Sequence, residues 1–357
     1  MPRRSNGLRV LMVGLSNPPP TFIERQMSAL ESLGVQVLQF PEFNRHKYLS
    51  HALVDRGIFV HLSPGMRELF RDADLIHFQW PGHLMRYYPL AKQANKPILV
   101  SLRGRQINIV PYLPANAAYV KRLRRTLPLC DAYHCVSANI MSQAQDFGLQ
   151  PERAYVIRPA VDASFFFYSA RLLPDDPIRL LMVGGLIWRK GYEYALSVMK
   201  RLVDEGMNVH LTIAGEGNER DRIQYTIQDL GLHDRVLLVG KVDPNQVRDL
   251  MHNSHVFIHT ALSEGIANVV LEAMACGLPV VSFSCGGMNE VIEHGKDGFL
   301  AQTREIENVV AYVIDLAKHP KLRHGLGQAA RHKVEEQFEL KDQGRKFLGL
   351  YKRLIER

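Results

Sequence analysis

Short runs rich in Val, Ile and Leu recur along the whole chain, each followed by a longer stretch of helical period. A parallel strand can be reached only through a long connection that packs back on the sheet, so this rhythm predicts parallel sheets with crossover helices. In the first half the strand candidates are Leu8–Leu15, Val35–Phe40, Leu75–Trp80, Ile98–Leu102, Ala132–Val136 and Ala154–Ile157. In the second they are Leu180–Val183, Val209–Ala214, Val236–Val239, Val256–His259, Val280–Phe283 and Phe299–Ala301. Runs apolar on both faces suit strands covered on both sides.

The helical stretches carry their own punctuation. Thr21 and Glu24, at T-x-x-E spacing, predict a capping box ahead of the stripe Ile23, Met27 and Leu30, with Gly34 at the far end. Asn268 to Cys276 reads as a helix closed by Gly277 and followed by Pro279. In Lys341–Arg357 the spacing of Phe347, Leu350, Tyr351 and Leu354 gives a helix with an apolar face that must dock.

A chain of 357 residues is long for one domain and comfortable for two. LRVLMVGLS near the start is echoed by IRLLMVGGL after the segment YSARLLPDDP, Tyr168–Pro177, whose prolines and acids mark a junction. The expected domains are residues 1–170, completed by the helix at 341–357, and residues 171–340. No apolar run approaches the ~18–20 residues that span a bilayer, and the basic start with its short apolar stretch reads as a strand, not a leader peptide. The four cysteines form no C-x-x-C pair, which suits a reducing cytoplasm.

Charge is unevenly placed. Residues 1–170 carry 20 Lys and Arg against 11 Asp and Glu, whereas residues 171–357 carry 24 against 25. Such a first half favours an anionic partner: a membrane face, a phosphorylated lipid or sugar, or nucleic acid. A basic surface kept for solubility fits equally well. Lys121, Arg122, Arg124 and Arg125 cluster on an expected helix after Pro114, read as a solvated face or as a contact for anionic membrane or acceptor.

Three blocks carry chemistry. In residues 263–292 a strand runs into Ser263, Glu264 and Gly265, and a helix starts a few residues later. Glycine permits the sharp turn, and the free amides of the helix N-terminus then face the crevice at the strand's carboxyl end, a geometry that binds diphosphate. Glu264 sits where a carboxylate can meet a bound sugar, and Glu272, eight residues on, projects nearer a ribose. In residues 182–196, Gly184 and Gly185 end a strand, and Lys190 with Gly191 opens the next helix, so the lysine can reach phosphate oxygens. In residues 211–219, Gly215, Glu216 and Gly217 follow a strand; a tight turn and a ligand contact are both open there. Trp188 serves equally as a ligand stack or as a core or cleft-wall side chain. Asp72-Ala73-Asp74 has the spacing of a manganese-binding pair, but strand-capping acids are the better reading. The fifteen histidines show no metal-ligand spacing.

Together GGLIWRKG, IAGEG and SEGIANVVLEAMACGLPVV with CGGMNEVI resemble the retaining glycosyltransferases of family 4. PPPTFIERQMSALESLGVQV, PILVSLRGRQIN and VIRPAVDASFF resemble the first-half segments of that family more diffusely. The resemblance implies an α/β GT-B fold, two Rossmann-like domains facing an inter-domain cleft. It implies that Lys190 binds the donor diphosphate, that Glu272 bonds the ribose and that Glu264 contacts the transferred sugar. Amides of Gly265, Ile266, Ala267, Asn268 and Val269 would hold phosphate. Many members have Arg at the position of Gly185, so Arg189 is expected to compensate, and Arg103 stands where many have His. Arg103 is accordingly expected to reach the donor diphosphate or an anionic acceptor with its planar fork.

The expected activity is metal-independent transfer of a sugar from a nucleotide-sugar to a hydroxyl acceptor, with retention and without a cofactor. The acceptor is a glycan, glycolipid or small molecule, anionic or membrane-borne, and no nucleic-acid partner is expected. The expected location is the cytoplasm, including the inner membrane face. A GT-B-like epimerase or phosphorylase, or a non-catalytic nucleotide-sugar-binding protein, stands as the alternative.

Overall fold

A computed structural model describes residues 7–41, 64–169 and 173–356. The chain divides into two compact units, Met1–Pro159 with Leu340–Arg357, and Ala160–Glu339.

The first unit is built on β1 (Arg9–Leu15), β2 (Gln36–Pro41), β3 (Leu75–Phe78), β4 (Ile98–Leu102), β5 (Ala132–Cys135) and β6 (Ala154–Val156). They form one parallel sheet in the order β2-β1-β3-β4-β5-β6. The central strands β3, β4 and β5 are buried at every position, as their two-sided apolar runs require. The helix Thr21–Ser32 does not begin with the expected capping box. Pro20 occupies the cap position and no side chain caps the helix. Three consecutive prolines carry the extended chain up to Thr21, which is then already helical and one residue too late to cap. Gly34, at φ +83°, follows the helix end as expected.

The last helix, Leu340–Ile355, belongs to this first unit. Phe347, Leu350, Tyr351 and Leu354 pack with Ile23, Met27 and Leu30 of the first helix. The two helices approach closely at Gly344, where a Cβ would lie 3.2 Å from the Ala29 methyl. A buried polar line continues inward from this contact. The Tyr351 hydroxyl lies 2.9 Å from His77 Nδ1, and His77 Nε2 lies 2.7 Å from Ser101 Oγ. Ser101 Oγ is 2.7 Å from His134 Nδ1, and His134 Nε2 donates to the Ile157 carbonyl at 2.9 Å. Each member finds a partner, as buried polar groups must.

The second unit is built on β7 (Ile178–Val183), β8 (Val209–Ala214), β9 (Val236–Gly240), β10 (Val256–His259), β11 (Val280–Phe283) and β12 (Phe299–Ala301). Its parallel sheet runs β12-β11-β10-β7-β8-β9. The junction falls at Pro159–Ala160, ahead of Tyr168–Pro177, three residues of which (170–172) lie outside the described set. Residues before that segment are stitched into the second unit: Val161 N donates to Phe338 O at 2.9 Å. Arg331 Nη1 donates to the carbonyls of Ala163, Phe166 and Ala275. Among the described residues no helix is long and apolar enough to cross a membrane.

Candidate active site

In the second sheet the strand order reverses between β10 and β7, which pair directly. Ligands of open parallel sheets lie beyond the carboxyl ends of the strands at such a reversal. Two loops leave from there. The one after β7 passes Gly184 and Gly185 into a short 3-10 turn, Trp188–Lys190, and the helix Tyr192–Asp204. The one after β10 runs from Thr260 through Gly265 into the helix Asn268–Ala275. They are laced together: Leu262 N donates to Arg189 O at 2.8 Å, and Thr260 Oγ1 to Gly191 O at 2.9 Å.

This lacing sets two cations on one carboxylate. Glu264 is 7% exposed; Lys190 Nζ donates to its Oε1, and Arg189 Nη1 lies 3.3 Å from its Oε2. His259 Nε2 stands 3.7 Å from Oε1, while its Nδ1 is 3.0 Å from Ser282 Oγ. Burial alone would raise the Glu264 pKa; Lys190, His259 and Arg189 overcome it and hold the carboxyl below the ordinary carboxylate range. Burial lowers the His259 pKa, so that ring is neutral near pH 7.

Two glycines make the crowding possible. Gly286, at φ +57°, passes so near Glu264 that a Cβ would sit 1.9 Å from its carbonyl oxygen. Gly215, at φ +151°, is pressed against the Gly184 carbonyl in the same way. No side chain fits at either position. The Lys190 methylenes cross over Gly184, whose absent Cβ would lie 3.5 Å from Lys190 Cε.

The structure brings Gly184, Gly185, Arg189, Lys190, Gly215, Glu216 and Glu264 into this one loop cluster; a Cβ on Gly185 would be 3.8 Å from the Glu216 carbonyl oxygen. Gly265, Ile266 and Ala267 are buried and lead into the helix, whose first positions Asn268 and Val269 are half-buried. Ala267 occupies the N-cap and no side chain caps this helix, so its positive dipole end is not met by a cap of its own. Glu272 lies on the same helix, half-buried, and Trp188 is 50% exposed.

Arg103 belongs to the first unit, just beyond β4. Its side chain is half-buried within that unit. Nη2 donates to Gln79 Oε1 at 2.6 Å and to Gln26 Oε1 at 3.2 Å, and the group lies 5.1 Å from the Phe22 ring and 5.8 Å from the Trp80 ring. Burial lowers its pKa to about 10, which leaves it charged at neutral pH. Asp74 accepts from Arg9 N at 2.8 Å and Asp72 pairs with the Arg9 side chain at 3.3 Å, so both acids tie down the start of β1. Among the described residues no group of three His, Cys, Asp or Glu is placed to hold a metal ion. Sequence reasoning missed His259 and Ser282; the histidine near the end of HVFIHT, one strand ahead of a serine in VVSF, was the available signal.

Residues 167–333 match the family described as glycosyl transferases group 1, and residues 4–165 match the one described as glycosyltransferase family 4. The N-acetyl-alpha-D-glucosaminyl L-malate synthase of Bacillus anthracis is 34% identical over 273 residues, covering 74% of this chain and 70% of that protein. A human phosphatidylinositol N-acetylglucosaminyltransferase polypeptide is 32% identical over 175 residues, 47% of this chain and only 35% of the human protein's length. Among solved structures, sucrose-phosphate synthase from Thermosynechococcus elongatus superposes with a TM-score of 0.82 at 18% identity, covering 98% of this chain and 99% of that one. Anabaena Alr3699/HepE in complex with UDP gives 0.78 at 17% identity, covering 97% and 100%.

Proposed function

We propose that this chain, which belongs to the group 1 glycosyl transferases, moves a sugar from a nucleotide-sugar donor to a hydroxyl acceptor with retention at the anomeric carbon and without a metal ion. The observation that carries this reading is the Lys190–Glu264–Arg189 cluster at the strand-order reversal, beside the uncapped start of the helix Asn268–Ala275.

In such a transfer the bond from the anomeric carbon to the diphosphate oxygen breaks as the acceptor oxygen bonds on the same face. The acceptor proton passes to the departing phosphate oxygen. Negative charge grows on the diphosphate, and a preorganised cation with helix amides is suited to stabilise it. Lys190 and the amides of residues 265–269 take that role, with Arg189 beside them in place of a charge at Gly185. Glu264, kept ionised, receives the sugar and orients it, and Glu272 holds the ribose. Gly184, Gly215 and Glu216 line the same loops. Arg103 is assigned to the acceptor side, where with Gln79 and Gln26 it shapes the carboxyl edge of the first sheet.

UDP in the Anabaena structural neighbour makes uridine diphosphate sugars the first donors to test. Radiolabelled sugar nucleotides offered with hydroxyl acceptors should yield a labelled glycoside of the donor's own anomeric configuration by NMR, at undiminished rate in chelator. An inverted product, or activity lost in chelator and restored by manganese, would remove the corresponding part of the proposal. Binding without turnover across the panel would favour a non-catalytic nucleotide-sugar-binding protein.

A further inference from the structure

From Leu75 to Cys130 the chain carries nine Lys and Arg and no Asp or Glu. In the remainder of residues 1–170 bases and acids balance at eleven each, so this stretch holds the whole basic excess of the first half. It includes two helices that pack on each other, Pro81–Ala94 and Ala117–Thr126.

The second of these helices is one-sided. Leu123 is buried, and Tyr119 and Val120 pack half-buried against the core. Ala117, Ala118, Lys121, Arg124 and Arg125 are exposed, and their spacing of three, four and seven puts them on one face. Large apolar side chains bracket it. Tyr112 (60% exposed) and Leu113 (42%) precede it, and Leu129 (51%) follows it. Arg124 donates to the Asp146 carbonyl and lies over the Phe147 ring, 6.0 Å from its centre, which fixes that end of the face. Of the described acids next to it by sequence or contact, Asp146 is exposed and the Asp131 carboxylate accepts from Ile98 N.

We propose that Ala117–Thr126 and its flanking turns form a docking surface for an anionic lipid bilayer. The helix lies in the headgroup plane with Lys121 and Arg125 among the phosphates, while Tyr112, Leu113 and Leu129 enter the acyl boundary. Charge attraction or shallow apolar insertion alone holds a protein weakly, and the two together hold it at an interface. A nucleic-acid surface would use the cations but leave the bracketing Leu113 and Leu129 in water, so the combination points to lipid.

The test is sedimentation of the full chain with vesicles of phosphatidylcholine alone or mixed with phosphatidylglycerol. Binding is expected only to the mixed vesicles, falling steeply from low to physiological salt. Each surface cation is worth about five-fold, so Lys121→Gln with Arg125→Gln should weaken binding by about 20-fold. Tyr112→Ser with Leu129→Ser should weaken it by about ten-fold at the same salt. Thermal melts should match the wild type, which separates lost docking from lost folding. Failure to bind mixed vesicles, equal binding to both kinds, or binding unchanged in the cation variant overturns the proposal. So does equally tight binding of duplex DNA together with an apolar variant that behaves as wild type, since the surface would then serve any polyanion.

Discussion

Lys190 and Glu264 lie 74 residues apart in the chain, and their pairing decides how the site is charged before a donor arrives. Lys190→Ala should lower kcat/KM by about 10²–10³, the loss expected when one stabiliser of developing charge is removed. Arg189→Ala added to it should lower the value further, because both cations contact the same carboxylate and are proposed to meet the same growing charge; wild-type kinetics in the single variant would end this assignment. Glu264→Gln takes the carboxylate from two half-buried cations, and should destabilise the second unit by about 1–3 kcal/mol in a denaturant titration near pH 7. The sign with pH follows from the depressed carboxyl: its stabilisation is full above the ordinary glutamate range and is lost as pH falls toward the folded-state value. The gap between wild type and Glu264→Gln should therefore narrow on acidification. That Glu264 and Gly265 fall in a turn after a strand and Glu272 on the next helix was legible, because strand, turn and helix signals are local. That Glu264 meets Lys190, and that His259 and Ser282 stand behind it, depends on which strands become neighbours, and no local spacing encodes that.

Among the elements, the strands were the most legible, because a buried parallel strand writes itself as an apolar run; β4, β8, β10, β11 and β12 match the sequence reading residue for residue. Helix starts were less so. The T-x-x-E signal at Thr21 was overruled by the three prolines ahead of it, a competition that the spacing does not express. The helix Leu340–Ile355 was visible as an amphipathic pattern, yet its partner was not, since Tyr351 meets His77 across 274 residues. Tyr351→Phe removes the hydroxyl partner of a fully buried imidazole and should cost about 1–3 kcal/mol of stability. Burial lowers His77 well below its ordinary value and His134 to about 3. The unfolded chain binds protons on both rings below about pH 6.5 while the folded one does not, so stability should fall as pH drops from about 6.5 toward 3. A flat denaturation midpoint across that window would show that these rings are not held neutral.

At the scale of the whole molecule, the chain closes its first unit twice, once through residues up to Pro159 and again with its last helix, after building the second unit between. The second unit is thus a continuous insertion with its own sheet and core, while the first is completed by residues from beyond that insertion. Phe347, Leu350, Tyr351 and Leu354 are each at most 4% exposed. Burying side chains of this size contributes roughly 1.5–3 kcal/mol apiece, an upper estimate against an extended chain. Together that rivals the ~5–15 kcal/mol by which a domain is stable at all. A chain ending at Glu339 should therefore lose the melting transition of the first unit and retain that of the second. It should still bind the nucleotide part of the donor, because Lys190, Glu264 and Glu272 all lie in residues 160–339, but transfer no sugar. Calorimetry with and without UDP reads both expectations: one surviving transition, raised by UDP, is the expected result. Two intact transitions would show that the last helix is dispensable, and a surviving transition insensitive to UDP would move the donor site out of the second unit.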